Sequence, residues 1–495
     1  VNRDKLLSIC LPLREAFIRN HYDTDTLLDA LGPEVHAALS RNEPVPVRRA
    51  STRCGELGTL IRLFLLTDDC PADEVAAALA PLSVEDAVAA GLLDADGDIV
   101  RAALDLRPMD IGGGNRWVVS DLDGSFRPRE TSVDHVIGVG HASLSLLLAT
   151  PTAPVGTLLD VGTGCGIQAL HGASYAAAVT ATDINVRAVD LAAVSAALNE
   201  EEVELLVGSW FDPIQGRTFD QIVANPPFVV SRPRVGHTYR DSGLDLDGSS
   251  KLMISRVADH LAPGGIAALL ASWIHVAGED WRSRVASWLP AHGIDAWVVQ
   301  RDRADPELYV GTWMRDGDLD IHDPASAAIA GDWLDHLASA NVEGVGFGFV
   351  YLRRTDAPTD LMAEDLTHGF SDPLGAEALA YFDRVQWLRE HDVLTARFRV
   401  EESTALERVF LPGDNGWNQV VARLHRGSGP AWQHEVDDLL ASLVAGMGSG
   451  SLGLGELIEL LAAAHDVDAE ALAQTAVPLV HSLVRHGLVL PAEPA

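Results

Sequence analysis

Val223–Val230 reads VANPPFVV and follows directly on FDQI, with which it forms an apolar run of strand character. Proline has no N–H to give a strand ladder, so two in a row end the pairing at Asn225 and turn the chain outward. An amide, a proline carbonyl and an aromatic ring are thereby presented at a strand end. Earlier in the chain, Leu158–Leu170 reads LLDVGTGCGIQAL: a strand, a glycine-rich turn and a helix start. Gly162, Gly164 and Gly166 let the backbone bend sharply and approach a ligand closely. A dinucleotide fingerprint GxGxxG/A counted from Gly162 would end on Ile167, and no GKS/GKT follows, so the turn sets aside no room for a pyrophosphate. Asp183, in TATDIN, closes the next strand, where an acid can accept hydrogen bonds from both hydroxyls of a ribose.

The pattern DxGxGxG, with an acidic second strand end and NPPF, resembles the class I S-adenosylmethionine-dependent methyltransferases, whose cofactor carries no phosphate. The resemblance covers residues 131–355. It implies S-adenosylmethionine as cofactor and S-adenosylhomocysteine as product. It also implies that Gly162, Thr163, Gly164 and Gly166 pack against the methionine part, that Asp160 sits near its amino group, and that Asp183 and Ile184 flank the ribose. GSWFD, Gly208–Asp212, would flank the adenine through Ser209 and through Trp210 or Phe211; many relatives have Asp where this chain has Ser209. SVDHVIGVGHASLSLL, just before the first strand, resembles the family's pre-motif helix, which helps to close the pocket.

Asn225-Pro226-Pro227-Phe228 resembles the D/N-P-P-Y/F motif of amino- and amide-methylating enzymes, among them ribosomal RNA guanine and adenine N-methyltransferases and release-factor glutamine methyltransferases. The residue types suit that chemistry. A planar NH₂ group has its lone pair delocalised and must turn it toward the sulfonium. The Asn225 side-chain oxygen and the Pro226 carbonyl can each accept one N–H, which aims the nitrogen and favours its charge-developing transition state. Phe228 can stack on a flat substrate. Position then does most of the work in an in-line displacement, and no strong general base is needed, because the nitrogen becomes acidic once methylated. Asn225 also borders the cofactor. Pro227 and, in the loop HTYRDSGLDLDG, Tyr239, Arg240 and Asp241 are substrate-binding candidates; the alternative for Arg240 and Asp241 is an exposed pair of little energetic worth.

The elements that must position these residues are legible as strand–helix alternation: GTLLDVG, AVTATDI, VELLVGS, FDQIVANPPF, GGIAALLAS, IDAWVVQ and GFGFVYLRR, with helices between. This predicts an α/β, Rossmann-like, doubly wound parallel sheet of seven strands over residues 109–355, with ligands at the carboxyl ends of the strands. Residues 1–108 read as a mainly helical, winged-helix-like domain: two short helices, a DxDG turn and a strand close it. Its second helix, SVEDAVAAGLL, holds two acids and no Lys or Arg, the opposite of a major-groove recognition helix. Residues 356–495 read as an α+β accessory domain with LTARFRVEES and NQVVARLHRG as antiparallel strands, GSGP (Gly427–Pro430) as a linker, and 434–490 as a second winged-helix-like unit.

Composition narrows the function classes. The 495 residues carry a net charge of −35, and each of the three segments is acidic. Phosphate contacts supply most non-specific nucleic-acid affinity, so this argues against a large nucleic-acid footprint, while a local arginine cluster stays open. Four scattered cysteines without a CxxC pair argue against a zinc site or a disulfide framework. Isolated histidines (His141, His237, His275) read as structural. No apolar run is long enough to span a bilayer, and the charged start VNRDKLLSIC does not read as a signal peptide; a soluble cytoplasmic protein without membrane or metal partners is expected.

Four functions fit these residues. The acidic surface favours N-methylation of a protein amide or amine. NPPF itself favours N-methylation of an RNA or DNA exocyclic amine, since release-factor enzymes typically carry NPPY. A small-molecule or peptide-metabolite substrate is the third. A non-catalytic cofactor-binding regulator is the fourth, and it has no use for a substrate-orienting amide. The sequence is read as an N-methyltransferase of a macromolecule: RNA, DNA or protein.

Overall fold

The computed structural model describes residues 2–123, 132–233, 241–317, 319, 322–369, 373–414 and 416–492. The chain divides into two compact units, residues 1–147 with 152–365, and residues 148–151 with 366–495.

The first unit is built on one sheet. Its strands in chain order are β1 (Val155–Val161), β2 (Ala176–Asp183), β3 (Val203–Val207), β4 (Phe219–Ala224), β5 (Leu261–Val276), β6 (His292–Ala304), β7 (Val342–Pro358) and β8 (Asp360–Asp365). They lie in the order β8-β6-β7-β5-β4-β1-β2-β3. The expected parallel, seven-stranded sheet is therefore an eight-stranded mixed one. β7 runs antiparallel between β5 and β6, and β8 pairs parallel with β6. Strands buried on both faces read as continuous apolar runs whatever their direction, so GFGFVYL carried no sign of its reversal. β8, DLMAED, falls in the segment 356–495 read as an accessory domain. Its acids are instead the partners of its neighbours: Trp297 Nε1 donates to Glu364 at 2.9 Å, and Arg282 pairs with Asp365 at 2.8 Å. The expected division at 355/356 thus falls inside β7, and that at 108/109 falls inside a hairpin strand, Leu104–Asp110.

Among the described residues the sheet is dressed by the helices α1 (His141–Ala149), α2 (Ile167–Gly172), α3 (Val186–Leu198), α4 (Gly248–Val257), α5 (Trp281–Ala286), α6 (Pro306–Asp316) and α7 (Pro324–Ser339). One core lies against α4 and α5, where Ile222, Leu269, Trp273, Val298 and Val350 are fully buried. The N-terminal helices form a second layer on the other side. Phe17, Tyr22, Phe64 and Trp117 cluster, and the same core continues into Leu191, Val194 and Leu198 of α3. The hairpin Leu104–Asp110/Asn115–Asp121 is fastened to α3: Ser195 Oγ accepts from Val119 N at 3.0 Å, and Asn199 bonds both backbone groups of Trp117. Residues 70–102 fold as a three-stranded sheet with two short helices, Ala72–Leu79 and Val84–Ala90.

The second unit holds the helix Gly375–Glu390, a three-stranded antiparallel sheet and three C-terminal helices. The two stretches read as antiparallel strands both lie in antiparallel pairs. Phe398–Val400 pairs with Val489–Pro491, and Gly416–Arg426 pairs with Thr404–Gly413. Gly427–Pro430 is the turn into the next strand, Gln433–Glu435, rather than a linker. Buried Glu377 is held between Arg384 and Arg426, a pair of cations that offsets the cost of burying its charge.

Candidate functional site

Adjacent strand ends make the site. β1 and β4 are neighbours with Val161 opposite Ala224, so the turn after β1 and the NPPF segment after β4 leave the sheet side by side. This is the point where the strand order reverses, the usual ligand crevice of open α/β sheets. Both segments line a cavity of about 550 Å³.

The turn after β1 is tied to β2: Gly162 N and Thr163 N both donate to Thr182 O, at 2.8 and 3.0 Å. A Cβ on Gly162 would come within 3.9 Å of the Pro226 Cα, so the two segments approach to van der Waals contact. Gly164 sits at φ +56° with open space before it. Gly166 differs. Its φ is +89° and a Cβ there would meet Ala192 of α3 at 3.2 Å, so it serves helix packing and is not among the cavity-lining residues.

Asp160 lies beneath the turn, fully buried and likewise not on the cavity wall. Thr163 Oγ1 donates to its Oδ2 at 2.7 Å, while its Oδ1 has no partner. Burial, with the nearby charge of Asp183 adding to it, pushes the Asp160 carboxyl up to about 7. Asp183 lines the cavity. Burial raises its pKa, opposed by N–H donors from Asn185 (2.8 Å) and Gly164 (3.0 Å). Ile184, Ser209 and Trp210 also line the cavity. Phe211 does not: it is buried and stacked on His260 at 4.8 Å. Of the two aromatic residues considered for the adenine, Trp210 is the one on the cavity wall.

Asn225, Pro226, Pro227 and Phe228 line the same cavity. Asn225 Nδ2 donates to Ser143 Oγ of α1 at 3.1 Å. Phe228 packs against Phe347 of β7 (centroids 5.1 Å) and edge-on to Trp313 of α6 (6.5 Å). The chain beyond is pinned by the α6–α7 pair: Val230 N donates to Tyr309 Oη at 2.7 Å, and Trp333 Nε1 donates to Val230 O at 3.0 Å. Asp241 is on the wall; Tyr239, Arg240 and His237 lie outside the described residues. His141 is a wall residue as well. His275 is a buried partner of Gln300, and burial lowers its pKa. The stretch read as a pre-motif helix contributes His135–Gly138 and Gly140–Ser143 to the wall.

Sequence reasoning missed Ser143, Gln168, Trp313 and Asp316, all on the wall. Ser143 and Gln168 lie inside stretches already read as lining the pocket, whereas Trp313 and Asp316 are brought there by α6, far along the chain.

Residues 137–269 match the family model described as methyltransferase small domain. That segment is a class I methyltransferase domain of this type. Its cofactor, S-adenosylmethionine, suits the residues present. Gln168 Oε1, on the cavity wall, is a buried acceptor without a donor, as an ammonium-bearing ligand requires, and Gly164 leaves the space in front of the turn clear. The release factor glutamine methyltransferase of Koribacter versatilis is 34% identical over 145 residues, 25% of this chain and 51% of that protein. The ribosomal RNA small subunit methyltransferase C of Alcanivorax borkumensis is 30% identical over 144 residues, 26% of this chain and 41% of that protein. The chain thus spans about half the length of these curated relatives or less. Among solved structures, the T. thermophilus 16S rRNA N2 G1207 methyltransferase in complex with AdoMet and guanosine is 19% identical with a TM-score of 0.28, covering 44% of this chain and 57% of that one. Outside the methyltransferase domain, residues 19–103 and 379–491 match two domains of unknown function.

Proposed function

We propose that this chain is an S-adenosylmethionine-dependent N-methyltransferase that acts on a planar amino or amide nitrogen of a macromolecule. The observation that carries the proposal is the shared cavity, lined by the glycine turn, Asp183 and Asn225-Pro226-Pro227-Phe228 together. S-adenosylmethionine, when bound, supplies an electrophilic methyl group on a sulfonium. Asp183 would accept from its ribose hydroxyls and Gln168 from its ammonium group, with Asp160 beneath the turn holding Thr163 in place; Trp210 offers a flat apolar face for the adenine. Asn225 Oδ1 and the Pro226 carbonyl would accept the two N–H bonds of the substrate nitrogen and turn its lone pair into the cavity. Phe228, backed by Phe347 and Trp313, offers the flat substrate a ring.

Residues 1–108 and 356–495 are proposed as docking modules for that macromolecule. In the first, the order of two helices followed by a hairpin supports a winged-helix-like reading, and the exposed Glu85 and Asp86 on its second helix favour a protein surface over duplex phosphates. No described helix is long and apolar enough to cross a membrane, and among the described residues no His, Cys, Asp and Glu group is placed to hold a metal ion.

The test is methyl transfer from radiolabelled S-adenosylmethionine into an extract of cells lacking the gene, with products digested by nuclease or by protease before counting. Label removed by one of the two digestions is expected and identifies the class of macromolecule. Label confined to the low-mass fraction, or no label while cofactor binds, overturns the proposal.

A further inference from the structure

A side-chain amide has two chemically opposite ends, and the torsion that exchanges them is soft. For Asn225 the difference matters: Oδ1 accepts, whereas Nδ2 would present hydrogens to a nitrogen that already carries its own. In the structure Nδ2 donates to Ser143 Oγ at 3.1 Å. Ser143 is itself anchored. Its carbonyl accepts from Gln168 Nε2 at 2.9 Å, and Gln168 is buried on α2, directly after the glycine turn. Both Ser143 and Gln168 line the same cavity as Asn225.

We infer that Ser143 is a positioning residue: it takes the donor end of the Asn225 amide so that the acceptor end faces the substrate nitrogen. The inference rests on the methyl-transfer reading for its consequence, but the bond itself can be tested without cofactor or substrate. Removing one hydroxyl partner of this kind costs about 1 kcal/mol, which is about a fivefold to tenfold loss in rate. Ser143→Ala should therefore lower kcat by that factor and leave the dissociation constant for S-adenosylmethionine unchanged. Ser143→Thr, which restores a hydroxyl, should recover most of the rate.

The deciding measurement is hydrogen exchange of the Asn225 side-chain amide, followed by NMR on the full chain with ¹⁵N-labelled asparagine. Exchange should be slow in the wild type and in Ser143→Thr, and about fivefold to tenfold faster in Ser143→Ala. Equal exchange in the wild type and Ser143→Ala would overturn the inference, as would an unchanged kcat in Ser143→Ala. A wild type that transfers no methyl, yet shows the expected exchange pattern, would sink the methyl-transfer reading and leave the Ser143–Asn225 bond standing.

Discussion

Two residues bear most directly on the chemistry, and each makes its own prediction. Asn225→Ala removes an acceptor aimed at a nitrogen that gains charge in the transition state. Loss of one such group costs about 10²–10³ in rate, so methyl transfer should fall by about that factor while calorimetry finds cofactor affinity unchanged. Full activity in this variant would show that Asn225 orients nothing. Asp160 makes a prediction about pH. Its folded pKa, about 7, is raised above the usual carboxylate value, chiefly by burial. The protonated carboxyl is the form the fold tolerates, so its contribution to stability is full at pH 4 and is lost as the pH rises through 7. Asp160→Asn, which cannot ionise, should melt above the wild-type apoprotein at pH 8 by the equivalent of a few kcal/mol, and the gap should close toward pH 4. A gap independent of pH would mean that the burial of Asp160 is not felt as charge. Gly162, Asp183 and the NPPF residues were legible because each sits in a contiguous motif with a chemical reason for its residue types. Ser143 and Trp313 were not. A serine on one helix and a tryptophan on another acquire meaning only when the fold sets them beside Asn225 and Phe228.

At the scale of elements, the turn between β1 and α2 combines two tasks that the sequence pattern does not separate. Gly164 faces open space, whereas Gly166 lies against Ala192 of α3. Alanine at either position pays for a left-handed backbone, about 1 kcal/mol. Gly166→Ala must in addition push α3 away, and should lose about 2–3 kcal/mol in total. Thermal unfolding should therefore show Gly166→Ala as clearly the less stable variant, and cofactor titration should show Gly164→Ala as the weaker binder for its modest loss of stability. The reverse ranking would exchange their roles. The strand–helix alternation that supports this turn was readable from periodicity. The direction of β7 and the membership of β8 in the sheet were not, since the first depends on which neighbours a buried apolar run finds, and the second on partners such as Trp297 and Arg282 that lie far away in sequence.

For the whole molecule, the net charge of −35 sets the terms on which a partner approaches. A polyanionic substrate must enter against that field, whereas a basic polypeptide is drawn in. Raising the salt concentration should then slow association with a protein substrate and ease it for a nucleic acid, a sign that kcat/KM at two ionic strengths would give. The sequence reading set edges at 108/109 and 355/356, but residues 1–147 form one compact unit with 152–365, and β7 and β8 carry the sheet on to Asp365. On the proposed function the cavity delivers a methyl group to a planar nitrogen. The most direct measurement is mass spectrometry of the hydrolysed product after methyl transfer by the wild type, locating the methyl group atom by atom. A methyl group on an amide or exocyclic amine nitrogen is the predicted result; a methyl group on oxygen, carbon or sulfur would contradict it.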